Sequence, residues 1–279
     1  MINVYIITMM ENADSLLGAR RCLKSFIQGS TIGAAKMFIS PAAVPEQSGG
    51  YTWDTIAGIE KELGISADRF IEVNRLNNNH TWHPRFTWPD PKIEPAGRFD
   101  LTTGLFLKPY NQPETRITVM CTMSHVALWL QCIREDRPII ILEHDAYLRS
   151  TFTLQDIAEI EEHKVKLCSL NSPVSQNGVV TRKGRLYHEL VQKQDGKYVS
   201  VPTINTGDDP PLPQGLPGNS AYYITPWAAE QLIRKMAEIG IWPNDALMCK
   251  EFFPWLKVAK HYFTDIQKMR STTTGVKYK

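Results

Sequence analysis

Residues 138–148 read Pro-Ile-Ile-Ile-Leu-Glu-His-Asp-Ala-Tyr-Leu. The apolar run at 139–142 is rich in β-branched side chains and lacks polar alternation, which predicts a strand covered on both faces within a mostly parallel sheet. The run ends abruptly at Glu143 and Asp145, and ligands bind at the carboxyl ends of strands in open α/β sheets. Two carboxylates one residue apart can share a hard divalent cation that also holds phosphates. The more ordinary role of such acids is to solvate a turn or cap a helix.

Strands and helices are predicted to alternate on both sides of this run. At the start of the chain, an apolar stretch at 2–8 predicts a strand and helical spacing at 14–27 predicts a helix. The other predicted strands are 35–40, 70–73, 164–169 and 219–225, and the other predicted helices are 53–63, 119–134, 152–162, 227–239 and 245–253. Short apolar runs between 178 and 201 predict hairpins. The alternation predicts an α/β fold with a mostly parallel sheet flanked by helices.

Residues 74–116 lack clear periodicity and are rich in proline and aromatic side chains. A connection of this length is typical of a functional loop or an insertion. Trp82 and Trp88 are candidates for stacking on a sugar or a base, although aromatic residues in long loops more often pack the loop onto the protein. We therefore expect one domain at 1–256 with a loop-rich insertion at about 74–116, followed by a basic C-terminal segment at 257–279.

Composition restricts the class of protein. The 279 residues carry 31 Lys and Arg against 29 Asp and Glu, a net charge of +2. This near balance argues against a protein whose whole surface binds nucleic acid. Five cysteines without a Cys-x-x-Cys pair indicate neither a disulfide framework nor a cysteine zinc site. The apolar start lacks a basic region, and no run approaches the roughly 20 apolar residues of a membrane span. The sequence therefore predicts a cytoplasmic protein without a transmembrane segment and leaves its oligomeric state open.

Several motifs of other enzyme classes are missing. The first predicted strand is not followed by Gly-x-Gly-x-x-Gly, and Gly-x-x-x-x-Gly-Lys does not occur, so Rossmann dehydrogenases and P-loop nucleotidases lose their main support. Neither Gly-x-Ser-x-Gly nor His-Glu-x-x-His is found. The acidic pair after the buried strand is the strongest chemical feature that remains.

The motif around this pair resembles a known family. Ser-His-Val-Ala-Leu-Trp at 124–129, a helix, and then Ile-Leu-Glu-His-Asp-Ala at 141–146 resemble the Leu-Ser-His-x-x-x-Trp and Ile-Leu-Glu-Asp-Asp-Ala signature of glycosyltransferase family 25, the lipopolysaccharide-biosynthesis glycosyltransferases. Residues 218–225 and 243–247 resemble its later small-residue strand and Asp motif. The sequence departs from the signature at His144, which replaces the middle acid. The resemblance implies a GT-A type, Rossmann-like fold, a nucleotide-sugar donor and Mn²⁺ or Mg²⁺.

The resemblance also implies roles for individual residues. Glu143 and Asp145 are expected to bind the metal, with His261 as a further ligand, and Asp245 is the candidate catalytic base. The ordinary alternatives are a structural role for His261 and a first-turn acid of a capped helix for Asp245. The expected donor-binding residues are Thr8, Arg20, Arg21, Ser124, His125, Glu143, Asp145, Lys268 and Arg270. The expected acceptor-binding residues are Trp82, Trp88 and Tyr222.

Three functions fit these features. The first is a metal-dependent, inverting transferase that moves a sugar from a UDP-sugar to a glycan such as lipopolysaccharide. The second is a phage-type enzyme that glucosylates hydroxymethylated DNA, a reading that the basic C-terminal segment favours. The expected location is a bacterial or phage-infected host cytoplasm. The third is a non-catalytic module of the same fold, suggested by His144. A carboxylate-pair glycosidase is less favoured because no second acid can be placed opposite Asp145.

Overall fold

The computed structural model describes residues 2–32, 36–43, 48–69, 84–85, 98–100, 105–109, 115–175, 178–179, 183–204, 214–239 and 243–269. The helices are α1 (Ala13–Gly29), α2 (Ser48–Leu63), α3 (Thr115–Glu135), α4 (Leu154–Glu162), α5 (Gly184–Gln192), α6 (Pro226–Ile239) and α7 (Asn244–Leu247). The strands of the first half are β1 (Asn3–Thr8), β2 (Met37–Pro41), β3 (Pro84–Arg85), β4 (Arg98–Asp100), β5 (Leu105–Pro109), β6 (Ile139–Glu143) and β7 (Ala146–Leu148). The strands of the second half are β8 (Leu167–Ser169), β9 (Val174–Ser175), β10 (Gly178–Val179), β11 (Tyr198–Ser200), β12 (Ala221–Ile224), β13 (Lys257–Ala259) and β14 (Thr264–Ile266).

A seven-stranded sheet in the order β11-β13-β8-β12-β6-β1-β2 is the centre of the fold. The strands β2, β1 and β6 run parallel, as do β13 and β8, whereas β12 lies antiparallel between β6 and β8. The edge strand β11 is antiparallel to β13. The predicted α/β fold with a mostly parallel, helix-flanked sheet is therefore confirmed.

The strand β6 is buried on both faces, as its sequence predicts. Ile139 and Ile141 point into a core built with α3 and α6, whereas Ile140 and Leu142 point into a second core built with α1 and α4. All four side chains are fully buried. Because consecutive side chains of a strand face opposite sides of the sheet, an unbroken apolar run is what two helical layers require.

Several local predictions need correction. The apolar pair Leu186 and Tyr187 lies in α5 and not in a hairpin, because Tyr187 and Val191 form the buried face of a helix at i, i+4 spacing. The helix predicted at 245–253 is reduced to the single turn of α7. The predicted loop-rich insertion contains the short antiparallel sheet β3-β5-β4. The strand predicted at 70–73 lies outside the described residues.

The C-terminal segment contributes to the sheet structure. Its strand β13 lies beside β8 in the central sheet, and β14 pairs with β7 directly after the acidic turn. The single domain and its boundary at residue 256 stay predictions, although part of the segment at 257–279 is thus built into the sheet. Within the described part of the chain, no helix is long and apolar enough to cross a membrane.

Candidate active site

The acidic turn joins β6 to β7 at the carboxyl edge of the central sheet. Glu143 is the last residue of β6, and its backbone N–H donates to the carbonyl oxygen of Ser220 at 2.8 Å. The backbone carbonyl of Asp145 accepts from the N–H of Gln267 at 2.7 Å. In the sheet, Glu143 lies beside Ile7 of β1. Three chain segments therefore fix the backbone of the turn.

Asp145 carries a buried carboxylate oxygen. Its Oδ1 has no hydrogen-bond partner among the described residues. Burial, reinforced by the negative charge of Glu143, raises the pKa of the Asp145 carboxyl to about 7. A buried carboxylate without a partner is unfavourable unless it binds a cation or a proton. The oxygen is therefore poised for an electrophilic ligand.

Glu143 is partly exposed, with 34% of its side chain accessible. Its Oε1 lies 3.0 Å from Nε2 of His125, a buried residue of α3. Burial raises the pKa of the Glu143 carboxyl, but the hydrogen bond from His125, together with the electrostatic effects of His125 and His144, outweighs burial and holds the pKa below its ordinary value. Glu143 is therefore a carboxylate near pH 7.

His144 keeps the turn from gaining a third charge. Burial lowers the pKa of its imidazole, and the negative charge of Glu143 only partly offsets this effect. His144 is therefore mainly neutral near pH 7. The replacement of the middle acid of the motif leaves a turn with two carboxylates, Glu143 and Asp145.

Two buried aromatic residues lie behind His125. The hydroxyl of Tyr222 on β12 lies 2.7 Å from Nδ1 of His125, and Nε1 of Trp129 donates to the same hydroxyl at 2.9 Å. Both aromatic side chains are fully buried. Tyr222 therefore has no surface for an acceptor, and the acceptor role predicted for it is corrected to support of His125.

A clamp formed by α1 and Gln267 holds the turn from the other side. The side-chain amide of Gln267 donates from Nε2 to the carbonyl oxygens of Gly18, His144 and Ala146, at 3.0, 3.2 and 3.1 Å. An added Cβ at Gly18 would lie 2.8 Å from the carbonyl oxygen of His144. Glycine is therefore needed where α1 passes over the turn.

Asp245 lies on a helical turn that is anchored to α3. It is exposed in α7, and the backbone N–H of the neighbouring Asn244 donates to Oγ1 of Thr122 at 3.2 Å. Burial, followed by the charges of Glu143 and Asp245, raises the pKa of the Cys121 thiol to about 12. The charges of both carboxylates therefore raise the pKa of the same residue of α3, Cys121, which lies one helical turn before His125.

The sequence model of glycosyltransferase family 25, described as LPS biosynthesis protein, matches residues 100–248. This match covers more than half of the chain and includes α3, the acidic turn, β12 and α7. The chain belongs to glycosyltransferase family 25. As a member of this family the protein is a glycosyltransferase, which uses a sugar donor and a glycan acceptor.

Other comparisons are more distant. None of the curated proteins compared with this glycosyltransferase matches it. Among solved structures, mouse xyloside xylosyltransferase 1 in its apo form is similar, with 13% sequence identity and a TM-score of 0.39 over 91% of this chain and 80% of the mouse chain. The family assignment rests on the match to residues 100–248.

The remaining predicted donor residues fall into two groups in the family-25 fold. Thr8 and Ser124 are buried, and Ser124 Oγ accepts from the backbone N–H of Ala43 at 2.9 Å and donates to the carbonyl of Met120 at 2.8 Å. Ser124 thus ties the chain after β2 to α3. The second group is exposed: Arg20, Arg21 and Lys268. The two arginines lie on α1 and Lys268 directly follows Gln267, so all three flank the elements that clamp the turn.

His261 does not join the acids. It is exposed in the connection between β13 and β14, with its ring packed edge-on against Phe263 at 5.2 Å between centroids. In the part of the chain that the structure describes, no group of three or more His, Cys, Asp or Glu side chains is arranged to hold a metal. The structure therefore does not bring the predicted ligand His261 together with Glu143 and Asp145, and metal binding by the two acids stays a prediction. Trp82, Trp88 and Arg270 lie outside the described residues.

Gln267 and Gly18 were not predicted from the sequence. Gly18 carried a usable signal, since glycine within a helix destabilises it by roughly 1 kcal/mol relative to alanine and such a position needs a reason. Gln267 carried no such signal, because its three acceptors lie 121 to 249 residues away along the chain.

Substitution of Gln267 by methionine is expected to destabilise the protein by about 1–3 kcal/mol, since carbonyl groups in a buried setting lose their donor. Thermal unfolding followed by circular dichroism measures this loss. The matched control is Gln192→Met, because Gln192 Nε2 donates to a single carbonyl, that of Lys260, at an exposed position. Equal melting temperatures for the two variants would contradict the clamp.

Proposed function

We propose that this glycosyltransferase moves a sugar from a UDP-sugar to a hydroxyl of a glycan such as lipopolysaccharide, with inversion and with Mn²⁺ or Mg²⁺. The observation that carries the metal dependence is the buried Oδ1 of Asp145, which has no hydrogen-bond partner in the described structure and belongs to the second residue after Glu143, the end of β6. Family membership supports the transfer itself.

The residues of the turn fit such a cation. Mg²⁺ and Mn²⁺ prefer oxygen ligands, and Mg²⁺ is commonly bound through one or two carboxylates together with substrate phosphates. Glu143 and Asp145 supply two carboxylates, and among the described residues they do not join a further His, Cys, Asp or Glu in a closed ligand set, which leaves room for the oxygens of a nucleotide diphosphate. When bound, the cation supplies positive charge for the departing diphosphate.

The chain's own residues divide the remaining work. His125 orients Glu143 through its hydrogen bond to Oε1, and the Gln267 clamp holds the backbone of Asp145. Arg20, Arg21 and Lys268 are exposed cations that can contact the donor phosphates. In an inverting displacement, the oxygen of the acceptor hydroxyl attacks the anomeric carbon and the bond from that carbon to the diphosphate breaks. Asp245 takes the proton of the hydroxyl in the same step. The exposure of Asp245 on α7 supports this role, because a base must reach the acceptor.

The test is a donor and acceptor panel with purified protein. With Mn²⁺ and a lipopolysaccharide-derived acceptor, we expect one UDP-sugar to release nucleotide diphosphate, and an excess of EDTA to reduce the rate at least tenfold. Nuclear magnetic resonance of the product gives the anomeric configuration and hence the stereochemical course. Turnover that persists unchanged in EDTA would contradict the metal dependence.

The same assay separates the other readings. Transfer to hydroxymethylated DNA in place of the glycan would favour the nucleic-acid acceptor, and no release from any donor would favour a non-catalytic module. Asp245→Asn should lower kcat much more than it raises KM for the donor, because a base acts in the chemical step. A full kcat in this variant would remove Asp245 from the mechanism.

A further inference from the structure

A line of buried polar groups leads from the core of the protein to Glu143. Trp129 and His125 lie one helical turn apart on α3, and Tyr222 lies opposite them on β12. The contacts run from Trp129 Nε1 to Tyr222 Oη at 2.9 Å, from Tyr222 Oη to His125 Nδ1 at 2.7 Å, and from His125 Nε2 to Glu143 Oε1 at 3.0 Å. The side chains of Trp129, Tyr222 and His125 are buried, with 2% of the His125 side chain accessible, so bulk solvent does not reach their polar atoms.

The donors and acceptors in this line fit together in one direction. The indole N–H of Trp129 can only donate, so the hydroxyl oxygen of Tyr222 accepts. The hydrogen of the Tyr222 hydroxyl then needs an acceptor, and Nδ1 of His125 is the one within reach among the described residues. A proton on Nδ1 would leave that hydroxyl hydrogen buried without a partner, at a cost of about 1–3 kcal/mol. Nδ1 is therefore the bare nitrogen and Nε2 carries the proton.

We propose that Trp129 and Tyr222 are positioning residues: the Tyr222 hydroxyl, which accepts from the Trp129 indole, holds Nδ1 of His125 and thereby orients Nε2 to donate to Oε1 of Glu143. The catalytic meaning of this assignment rests on the proposed function, in which Glu143 binds the donor's cation. With Oε1 committed to His125, Oε2 is the oxygen assigned to the ligand.

This arrangement differs from ordinary core packing in what it controls. Hydrogen-bonded partners of a metal-binding carboxylate set its orientation and typically contribute 10- to 100-fold to metal affinity or activity. Here the partner of the carboxylate is an imidazole, whose two nitrogens exchange roles if the tautomer changes. The Glu143 carboxylate accepts from Nε2, and the hydroxyl of Tyr222 holds the opposite nitrogen, Nδ1, so the two contacts together fix the orientation of the ring.

The tautomer can be observed without substrate. Long-range ¹H–¹⁵N correlation spectra of ¹⁵N-histidine-labelled protein distinguish protonated from bare imidazole nitrogens. The His125→Gln variant identifies the signals of His125, because these are missing from its spectrum of the seven histidines. In the wild type we expect a bare Nδ1 and a protonated Nε2 for His125. In Tyr222→Phe, Nδ1 loses its hydrogen-bond donor, so the ¹⁵N signal of Nδ1 of His125 should shift, whereas Nε2 stays protonated against the Glu143 carboxylate.

Matched variants isolate the hydroxyl. Tyr223→Phe alters the next residue of β12, which is equally buried but faces the opposite core, and should leave the His125 signals and turnover unchanged. Trp129→Phe removes the indole donor but leaves the Tyr222 hydroxyl to donate to Nδ1, so the tautomer should persist. Tyr222→Phe should lower kcat/KM by about 10- to 100-fold, and Trp129→Phe by less than about tenfold.

Two results would overturn the inference: a protonated Nδ1 on His125 in the wild type, or unchanged His125 signals in Tyr222→Phe with unchanged kcat/KM. Failure of the proposed function looks different. In that case the wild type shows the expected tautomer but transfers no sugar from any donor, and the hydrogen-bond assignment stands while the role of Glu143 falls.

Discussion

Substitution of Asp145 by asparagine is expected to lower the turnover of this glycosyltransferase by about 100- to 1,000-fold, the loss found when a preorganised electrostatic group is removed from an active site. The amide keeps the shape of the side chain but has no charge for a cation. Release of nucleotide diphosphate measures the effect. Glu161→Gln is the matched control, because Glu161 is an exposed carboxylate of α4 and its removal should leave turnover unchanged. Normal turnover in Asp145→Asn would remove this residue from the active site.

The same substitution is expected to stabilise the metal-free protein. The pKa of Asp145 is raised in the folded state to about 7 from 3.8, so its ionisation opposes folding. The penalty is absent below the unfolded pKa near 4 and is complete once the pH has risen through 7. In EDTA, the melting temperature of Asp145→Asn should therefore exceed that of the wild type at pH 8 but not at pH 4. The difference at pH 8 should be ~2–4 °C for each kcal/mol by which ionised Asp145 destabilises the folded wild type.

Added metal should reverse this order of melting temperatures. We expect Mn²⁺ to bind the folded wild type and raise its melting temperature at pH 8 by mass action, and to have little effect on Asp145→Asn. A wild type that melts at the same temperature with and without Mn²⁺ would contradict binding at the acidic turn, even if transfer were observed. The melting experiment thus tests the site independently of substrate.

Substitution of Gly18 by alanine is the second change with a large expected effect. A Cβ at this position would lie 2.8 Å from the carbonyl oxygen of His144 and 2.7 Å from Sδ of Met269. The methionine side chain can move, but the carbonyl belongs to the acidic turn, so relief of the clash shifts Glu143 and Asp145. A misplacement of about 1 Å can reduce turnover about 100-fold.

The stability of Gly18→Ala should change less than its activity. Overpacking destabilises by about 1–3 kcal/mol, and the better helix propensity of alanine offsets roughly 1 kcal/mol of that. Gly29→Ala on the same helix is the control, because its Cβ would contact only the end of the Leu148 side chain within 3 Å. Similar turnover in the two variants would show that α1 does not hold the turn in place.

The fold was predictable where the signal is local. The unbroken apolar run at 139–142 required helices on both faces, and the two cores on either side of β6 provide them. The hairpin predicted around Leu186 failed because a short apolar pair fits a strand and a helix equally well, and packing of Tyr187 on the core decided for the helix.

The residues of the candidate site also separate into those that the sequence predicted and those that only the structure revealed. The sequence by itself determined the pair Glu143 and Asp145 and its place at the end of a buried strand, because residue type and strand periodicity are properties of neighbouring positions. Only the tertiary structure decided which groups surround that pair. Gln267 reaches the turn through the pairing of β14 with β7, and Tyr222 reaches His125 because β12 lies antiparallel beside β6. These contacts join residues that lie 97 to 249 positions apart along the chain, and a single sequence carries no periodicity for pairing at that range.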